Sequence, residues 1–296
     1  MRFSVSVPAT SANLGPGFDS VGVALALRMR AEVTPAKKFA LEFEPGPNAP
    51  SHDGFESAIR RAMQRVDASL PRVNVRVAND IPLGKGLGSS AAALVLGLAI
   101  AARAHGRALS RNDLARLACE LEGHPDNALP AVFGGIVVAA SSDAGAHVRV
   151  RTNGHVRALV VVPDITLSTG ESRALLPERY DRANVVFTAQ RAALLGAALA
   201  SGSWRELREA MRDRLHQPYR VSRIPGMEAA LALDDRALIG SALSGAGPSL
   251  IALVRNASPK LASRLQQCFE RAGVAAHTLS LGLSARGLLV SSNGKA

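Results

Sequence analysis

Apolar and polar residues alternate along two stretches in the first third of the chain, at residues 3–7 (FSVSV) and 73–77 (VNVRV). A period of two residues predicts β-strands, because successive side chains of a strand point to opposite faces of a sheet. The continuous apolar run VGVALAL at residues 21–27 predicts a buried strand. Residues 8–20 are rich in Gly, Pro, Ser and Asn, which favours a loop. Residues 35–50 predict a short strand followed by a loop rich in Pro and Gly.

Helical patterns follow in the same half of the chain. Residues 57–66 have helical character, and a longer helix is predicted from about Ser89 to His105, directly after a glycine-rich stretch. Ser110, followed three residues later by an acidic residue, resembles a capping box and predicts another helix start. The segment EGHPDN at residues 122–127 ends that helix, and the apolar residues 134–140 predict a return to a strand.

The second half of the chain has its own order of elements, β-α-β-β-α-β, with an additional helical hairpin. This order is that of a ferredoxin-like split βαβ fold. It places a domain boundary near residue 150, which gives domains at 1–150 and 151–296. The predicted elements are a strand at 156–163, a helix at 184–200, strands at 237–243 and 249–254, a helix at 259–273 and a strand at 276–281.

Composition narrows the class of protein. A chain of 296 residues with 47% hydrophobic residues is long enough for two globular domains. The net charge of +11 raises the question of nucleic acid, but the basic residues are dispersed and aromatic residues, at 4%, are too few for base stacking. A small anionic ligand explains the positive charge equally well. We therefore predict no nucleic-acid partner.

Cysteine usage and apolar runs bear on the compartment. Cys119 and Cys268 show no metal-ligand spacing, which indicates a reduced, cytoplasmic protein. The first ten residues show no signal-peptide pattern. The apolar run Ala91–Ala102 is shorter than the roughly 18 residues that a membrane span requires, so no membrane partner is predicted.

The glycine-rich stretch IPLGKGLGSSAA, residues 81–92, is the strongest candidate for chemistry. Gly84, Gly86 and Gly88 permit backbone N–H groups to converge on a phosphate, and the following helix adds its free N–H groups and positive dipole end. The stretch matches neither the Walker A pattern nor G-x-G-x-x-G. Taken alone, it is more typical of a glycine-rich turn before a buried helix than of a phosphate loop.

The full string resembles the signature of the GHMP kinases, named for galactokinase, homoserine kinase, mevalonate kinase and phosphomevalonate kinase. Four further segments support the resemblance, of which the first three are similar to homoserine kinase and the last is the third motif of the family. They are PATSANLGPGFDSVGVAL (8–25), EGHPDNALPAVFGG (122–135), GESRALLPERY (170–180) and LSGAGPSLIAL (243–253). The resemblance implies a two-domain, mixed α+β fold with a ribosomal-protein-S5-domain-2-like N-terminal domain and a ferredoxin-like C-terminal domain. The active site would lie in the cleft between the domains.

The resemblance also implies cofactors and the residues that bind them. ATP would be the phosphoryl donor, with Mg²⁺ held by Ser90 and Glu122. The residues expected at ATP are Pro82, Leu83, Gly84, Lys85, Gly86, Leu87, Gly88, Ser89, Ser90, Ala91 and Ala92. Serine and glutamate oxygens suit Mg²⁺, which prefers oxygen ligands. A transition-metal site made of Glu122, His124 and Asp126 is the alternative, although its spacing is not that of a known closed site.

By the same resemblance the substrate is L-homoserine, and Asn13 and Asp19 would bind its polar ends. Arg173 and Arg220 would hold its carboxylate, since the planar guanidinium matches a carboxylate in two places. Arg223 is a further candidate for that role. From the residues alone, capping roles for Asn13 and Asp19 and solvated surface positions for the arginines stay open.

Three residues are candidates for catalysis. Asn127 lies where mevalonate-type relatives place an aspartate, and an amide could orient the substrate hydroxyl without accepting its proton. Asp126 keeps the role of a base open, and Lys85 could add positive charge near ATP or point to solvent. Phosphoryl transfer depends mainly on alignment and charge neutralisation, so a strong base is not required.

The resulting hypothesis is an ATP-dependent phosphotransferase that acts on an alcohol group and serves threonine biosynthesis. A different hydroxyl substrate within the same family is one alternative. A basic, non-catalytic protein that binds nucleotides or nucleic acids is the other. A homodimer is a further expectation that the sequence leaves open.

Overall fold

The computed structural model describes residues 2–50, 53–140, 144–151, 156–256 and 258–292. Eleven strands and ten helices occur in these residues, which confirms the mixed α/β class. The strands are β1 (Phe3–Asn13), β2 (Gly17–Pro35), β3 (Ala40–Phe43), β4 (Val73–Asn79), β5 (Ile136–Ala139), β6 (His147–Val150), β7 (Arg157–Pro163), β8 (Leu238–Leu243), β9 (Leu250–Val254), β10 (Ala276–Gly282) and β11 (Leu289–Ser291). The helices are α1 (Asp53–Val66), α2 (Ser89–Ala104), α3 (Arg111–Glu122), α4 (Pro125–Phe133), α5 (Thr169–Ala174), α6 (Arg182–Ser201), α7 (Leu207–Ala210), α8 (Gln217–Val221), α9 (Met227–Leu231) and α10 (Pro259–Glu270).

The first sheet has the order β11-β1-β2-β4-β3, with β5 paired to β2 and β6 paired to β5. Every pair is antiparallel except β3 with β4. Helix α2 packs on this sheet and is apolar on all sides, with residues Ala91–Ala102 all buried. A helix without a polar face belongs in a core, and its burial fixes where its first turn points.

The second sheet has the order β10-β7-β9-β8, and all of its pairs are antiparallel. Numbered within the second half of the chain, this order is 4-1-3-2, the arrangement of a ferredoxin-like fold, and the prediction is confirmed. Five helices, α5 to α9, lie between β7 and β8 in the sequence, where the split βαβ order has one. Helix α10 packs on β7 and β10 and completes the layer.

The loop predicted for residues 8–20 is wrong over most of its length. Strand β1 continues to Asn13 and β2 begins at Gly17, so only a three-residue turn separates them. Two of its polar residues, Ser11 and Asn13, are buried and bond to the second half of the chain. Ser11 Oγ and Ser244 Oγ lie 2.8 Å apart in a hydrogen bond, and Asn13 Nδ2 donates to the Gly245 carbonyl at 3.0 Å. The polar composition of this segment reflects contacts between the two halves of the chain. An argument from composition interprets the same residues as exposed to solvent.

The change of sheet occurs between β6 and β7, close to the boundary proposed at residue 150. The division is not complete, because β11 returns to the first sheet and pairs with β1. Helix α6 is long and apolar enough, by its length and composition, to cross a membrane. One such helix is weak evidence for a span, and the absence of a membrane partner stays a prediction.

Candidate active site

One cleft collects residues from both halves of the chain. The glycine loop and the first turn of α2 form one end, and residues of β2, α5 and α8 form the other. Its lining includes Asn13, Phe18, Asp19, Leu83, Gly84, Gly86, Leu87, Gly88, Ser89, Ser90, Glu122, His124, Asp126, Asn127, Ser168, Arg173, Arg220 and Gly245. Most predicted site residues therefore meet in one place, although the sequence spreads them over 208 positions from Asn13 to Arg220.

The glycine loop adopts a conformation that presents backbone to the cleft. Gly84, Gly86 and Gly88 have φ values of 65°, 73° and 68°, a region that favours glycine. Gly88 precedes the first turn of α2, and no side chain caps that turn and no acidic residue lies in it. The free N–H groups and the positive end of the helix dipole are therefore available to an anion.

Contacts with neighbouring segments fix the loop. A Cβ atom on Gly88 would lie 1.8 Å from Thr10 Oγ1, and one on Gly86 would lie 2.2 Å from the Ser244 carbonyl oxygen. Ser244 Oγ also donates to the Gly86 carbonyl at 2.6 Å. The backbone thus approaches both halves of the molecule too closely for any side chain.

The structure does not bring the Lys85 ammonium to the cleft, which corrects the catalytic role predicted for it. Lys85 Nζ donates to the carbonyls of Pro163 and Ile165 at 3.0 and 2.7 Å, and it lies 3.7 Å from Asp164 Oδ1. Its side chain is 14% exposed, because these acceptors at the end of β7 hold it against the second half of the chain. Pro82, Ala91 and Ala92 also lie outside the lining of the cleft.

The two residues predicted to bind Mg²⁺ are adjacent. Ser90 Oγ donates to Glu122 Oε2 at 3.2 Å, and these oxygens lie at the first turn of α2 and the last residue of α3. Burial raises the pKa of the Glu122 carboxyl above its usual value. No ion pair within 4.0 Å joins Glu122 to a basic residue in the described ranges. A partly desolvated carboxylate without a cation, beside a hydroxyl, fits a hard metal ion with oxygen ligands.

Helix α4 presents the predicted catalytic pair. Asp126 Oδ1 lies 2.5 Å from His124 Nδ1, and Thr10 Oγ1 donates to Asn127 Oδ1 at 2.7 Å. A hydroxyl that donates to the amide oxygen leaves the amide nitrogen of Asn127 free to donate elsewhere. The side chains that could form a transition-metal site are not the three that the sequence predicted. Ligand atoms of Asp19, His124 and Asp126, without Glu122, lie within 4.8 Å of one another.

Two residues predicted for opposite ends of the substrate bind each other. Arg173 donates to both carboxylate oxygens of Asp19, at 2.6 and 3.0 Å, and these bonds raise the pKa of Arg173. The Asp19 amide donates to Asn13 Oδ1 at 3.0 Å, which holds the carboxylate at the start of β2. Asp19 and Arg173 thus neutralise each other within the site.

Arg220 is different, because its guanidinium is buried without a counter-ion. It is 2% exposed, and within the described part of the chain no carboxylate lies within 4.0 Å of it. It donates to the carbonyls of Ser172 and Gly245 and to His216 Nδ1, at 3.3, 3.3 and 3.1 Å. Burial, with the neighbouring Arg173, lowers the pKa of Arg220 to about 10. Arg223 is exposed and does not line the cleft.

Sequence reasoning missed three residues at the substrate end. The Phe18 ring lies near both guanidinium groups, 5.4 Å from Arg173 and 5.1 Å from Arg220. His216 stacks on the same ring, and Thr10 orients Asn127. Thr10 and Phe18 stand inside a segment already matched as a motif, whereas His216, four residues before Arg220, has no pattern that marks it.

Comparison with known proteins gives consistent matches. The GHMP kinases N terminal domain model matches residues 55–135, and the GHMP kinases C terminal model matches residues 195–274. A homoserine kinase from Deinococcus radiodurans is 39% identical over 97% of this chain and 96% of its own. A homoserine kinase from Thermus thermophilus is 41% identical over 94% of each chain.

A solved structure supports the fold. The homoserine kinase from Cytophaga hutchinsonii superposes with a TM-score of 0.80 at 23% identity, over 98% of this chain and 97% of that one. At this identity the likeness establishes the architecture only. Together with the family models and the full-length relatives, it shows that the chain belongs to the GHMP kinase family and is an ATP-dependent kinase.

Proposed function

We propose that this protein transfers the γ-phosphoryl group of ATP to the side-chain hydroxyl of L-homoserine, which gives O-phospho-L-homoserine. The observation that carries the proposal is the arrangement of charge in the cleft. A buried guanidinium without a counter-ion, Arg220, lies beside the Arg173–Asp19 ion pair at one end, and an uncapped helix N-terminus lies at the other. Full-length relatives named homoserine kinase support the same substrate.

The substrate end suits an α-amino acid zwitterion. Asp19 and Asn13 offer acceptors for an ammonium, and Arg220 with Arg173 offers donors for a carboxylate. The Arg173–Asp19 pair would open as the zwitterion enters, so that each protein charge exchanges one partner for another. A substrate with only one of the two charges would leave a protein charge unpaired in a half-buried site, which is unfavourable.

The phosphate end suits ATP. The N–H groups of the loop and the first turn of α2 would bind the phosphate oxygens, since an uncapped helix N-terminus favours negative charge. Ser90 and Glu122 would hold a Mg²⁺ ion, which neutralises phosphate charge when bound. Ser89 and Ser90 add hydroxyl donors at the point where α2 begins.

The reacting hydroxyl would lie near α4, between the two ends. Thr10 fixes the amide of Asn127, so the free amide nitrogen is assigned to orienting the substrate hydroxyl toward the phosphate. Asp126 is the carboxylate available to take the proton of that hydroxyl, and its bond to His124 holds it in place. Alignment by Asn127 is assigned the larger role, since phosphoryl transfer proceeds through a loose transition state.

A panel of acceptors tests the proposal. ADP release would be measured with L-homoserine, L-serine, L-threonine and mevalonate at equal concentrations. We expect turnover with L-homoserine to exceed that with each other compound, and product analysis should show the phosphate on the side-chain oxygen. Turnover of mevalonate without turnover of L-homoserine would reject the proposed substrate while keeping the kinase chemistry.

The partner and location expectations stand as part of the same proposal. We expect a cytoplasmic enzyme that acts on a small molecule and binds neither nucleic acid nor a membrane. This expectation agrees with the predicted chemistry of the cleft. A homodimer is also proposed, and light scattering of the purified protein measures it directly.

A further inference from the structure

His216 is a buried titratable residue that the proposed mechanism does not use. It is 0% exposed and stands directly before α8, the short helix that carries Arg220. The Asp213 carboxylate, also buried, accepts hydrogen bonds from the backbone N–H groups of Leu215, His216 and Gln217, at 2.9, 2.8 and 2.8 Å. The backbone of His216 is therefore held firmly in place.

Both ring nitrogens of His216 have partners of a fixed type. Nε2 lies 2.7 Å from the Gly15 carbonyl oxygen, which can only accept, and Nδ1 lies 3.1 Å from Arg220 Nη1, which can only donate. The chemistry of the partners thus requires the neutral ring with its proton on Nε2. Phe18 stacks on the ring with centroids 5.0 Å apart, which fixes the ring plane as well.

His216 joins the two groups that would hold the substrate. Gly15 belongs to the turn between β1 and β2, four residues before Asp19, and Arg220 belongs to the second half of the chain. The turn is pressed against this region, since a Cβ atom on Gly15 would lie 2.1 Å from the Met211 carbonyl oxygen. One imidazole therefore links Arg220 at the proposed carboxylate site to the turn that precedes Asp19 at the proposed ammonium site.

We propose that neutral His216 is a positioning residue that directs the Arg220 guanidinium at the substrate carboxylate and couples it to the turn that carries Asp19. This inference rests on the proposed function, because it assumes that Arg220 binds the carboxylate. His216 touches no substrate itself. It acts through the single acceptor that it offers to Arg220.

The charged groups around His216 make the neutral form the working one. Arg220 on α8 and Asp213 face its ring, Asp19 lies on β2, and Arg173 on α5 lies near the shared Phe18 ring. Burial lowers the pKa of His216, and the Arg220 charge acts in the same direction against Asp213. Protonation would place an N–H donor against a guanidinium and would push Arg220 away from its position.

The test compares L-homoserine with 3-aminopropan-1-ol, which lacks only the carboxylate. In His216→Leu, which removes the acceptor, we expect the KM for L-homoserine to rise roughly 10- to 100-fold, the range for one hydrogen bond to a charged group. The kcat/KM for 3-aminopropan-1-ol and the KM for ATP should change less than about threefold. His216→Gln offers one acceptor and one donor and should restore most of the preference for L-homoserine.

Controls separate the possible outcomes. His105→Leu, at the far end of α2, should leave both substrates unchanged. Equal loss for both substrates in His216→Leu would show a merely structural role and would overturn the inference. If wild-type protein fails to phosphorylate L-homoserine, the proposed function fails first, and that result is read before any variant is made.

A second measurement does not depend on the leucine variant folding. Nitrogen NMR of protein labelled at histidine, with His216→Gln used to assign the signal, reports which ring nitrogen carries the proton. We expect the Nε2–H form near neutral pH. A charged ring or the Nδ1–H form would overturn the inference.

Discussion

The two ends of the cleft use different chemical groups of the chain, backbone at one end and side chains at the other. The phosphate end consists of glycine backbone and an uncapped helix, and its predicted lysine points away from the cleft. The substrate end consists of charged side chains, with Asp19 and Arg173 paired and Arg220 unpaired. A backbone site is determined by local conformation, whereas a side-chain site is determined by which distant residues meet.

This difference has a consequence for how each end tolerates change. The phosphate end depends on close backbone contacts at Gly86 and Gly88, where no added atom fits, so a single methyl group at either position should cause a large loss. The substrate end depends on hydrogen bonds that can be removed one at a time, so its losses should be graded. The experiments below test that contrast, from the largest expected effect to the smallest.

Gly88→Ala should give the largest loss. Its φ of 68° is strained for alanine, and the new Cβ would lie 1.8 Å from Thr10 Oγ1 and 3.0 Å from Asn127 Oδ1. Since both the loop and the catalytic amide must move, we expect kcat/KM for ATP to fall by a factor of roughly 10³. Steady-state kinetics with varied ATP measures this.

Gly84→Ala is the matched control for that variant. Its φ is 65°, yet the nearest atom to a new Cβ is Thr166 Cγ2 at 3.9 Å. Only the backbone strain of roughly 1–2 kcal/mol remains, so the loss should stay within roughly 5- to 30-fold. Equal losses in the two variants would show that φ alone, and not the close approach, determines the loop.

Arg220→Ala should give the next largest loss of activity, and this loss should affect only the use of L-homoserine. Removing hydrogen bonds to a charged group should raise the KM for L-homoserine roughly 100-fold, with the KM for ATP changed little. Arg223→Ala, on the exposed face of the same segment, should have no effect. Unchanged homoserine kinetics in Arg220→Ala would remove Arg220 from the carboxylate site.

Lys85→Met tests whether the lysine positions the loop. Loss of its bonds to the Pro163 and Ile165 carbonyls should loosen the loop against β7, so kcat/KM for ATP should fall roughly tenfold, in line with one or two hydrogen bonds. The KM for L-homoserine should not change. Lys38→Met, at an exposed lysine, is the control. A loss of a factor of roughly 10³ or more would instead place Lys85 at the phosphates.

Glu122→Gln should change the melting temperature of the metal-free protein only slightly, and it should raise it. Because burial raises the pKa of Glu122, the folded state disfavours its charge at every pH above the unfolded value of about 4.3. Without metal at pH 7, the variant should therefore melt roughly 2 °C higher than wild type. The gap should close as the pH falls toward 4.

Glu171→Gln should shift the melting temperature in the opposite direction. Hydrogen bonds from Ser168 lower the pKa of Glu171, so its charge stabilises the start of α5 at neutral pH. Its replacement should lower Tm slightly, and calorimetry of both variants across pH 4 to 8 measures the pair. A lower Tm for Glu122→Gln at pH 7 would show that its carboxylate is satisfied without metal.

The phosphate end was largely accessible from sequence. A glycine loop and the start of α2 at Ser89 follow from local pattern alone, and the structure confirms that start. The direction of Lys85 did not follow, because its acceptors lie about 80 residues later at the end of β7. From sequence alone, a lysine inside a phosphate-binding motif is expected to bind phosphate. The structure shows instead that backbone carbonyls accept its hydrogen bonds.

The substrate end was accessible only in part. The family resemblance named Asn13, Asp19, Arg173 and Arg220, and these do meet in the cleft. Their pairing did not follow, since an ion pair between residues 154 positions apart depends on how the two halves pack. The loop predicted for residues 8–20 failed for the same reason. Its residues Ser11, Asn13 and Asp19 bond to the second half of the chain, and composition alone cannot distinguish a buried partner from water.

The return of β11 to the first sheet bears on how the protein is made. Ser4 pairs with Ser291, so one edge of β1 has no partner until the segment around residue 291 has been synthesised. At roughly 5–20 residues per second, a ribosome needs roughly 7 to 30 s to pass from residue 150 to residue 289. During that interval the nascent chain exposes an unpaired strand edge, a surface on which other chains can add. Removal of the residues after 282 would leave this edge unpaired permanently, so we expect it to promote aggregation as well as to lower stability.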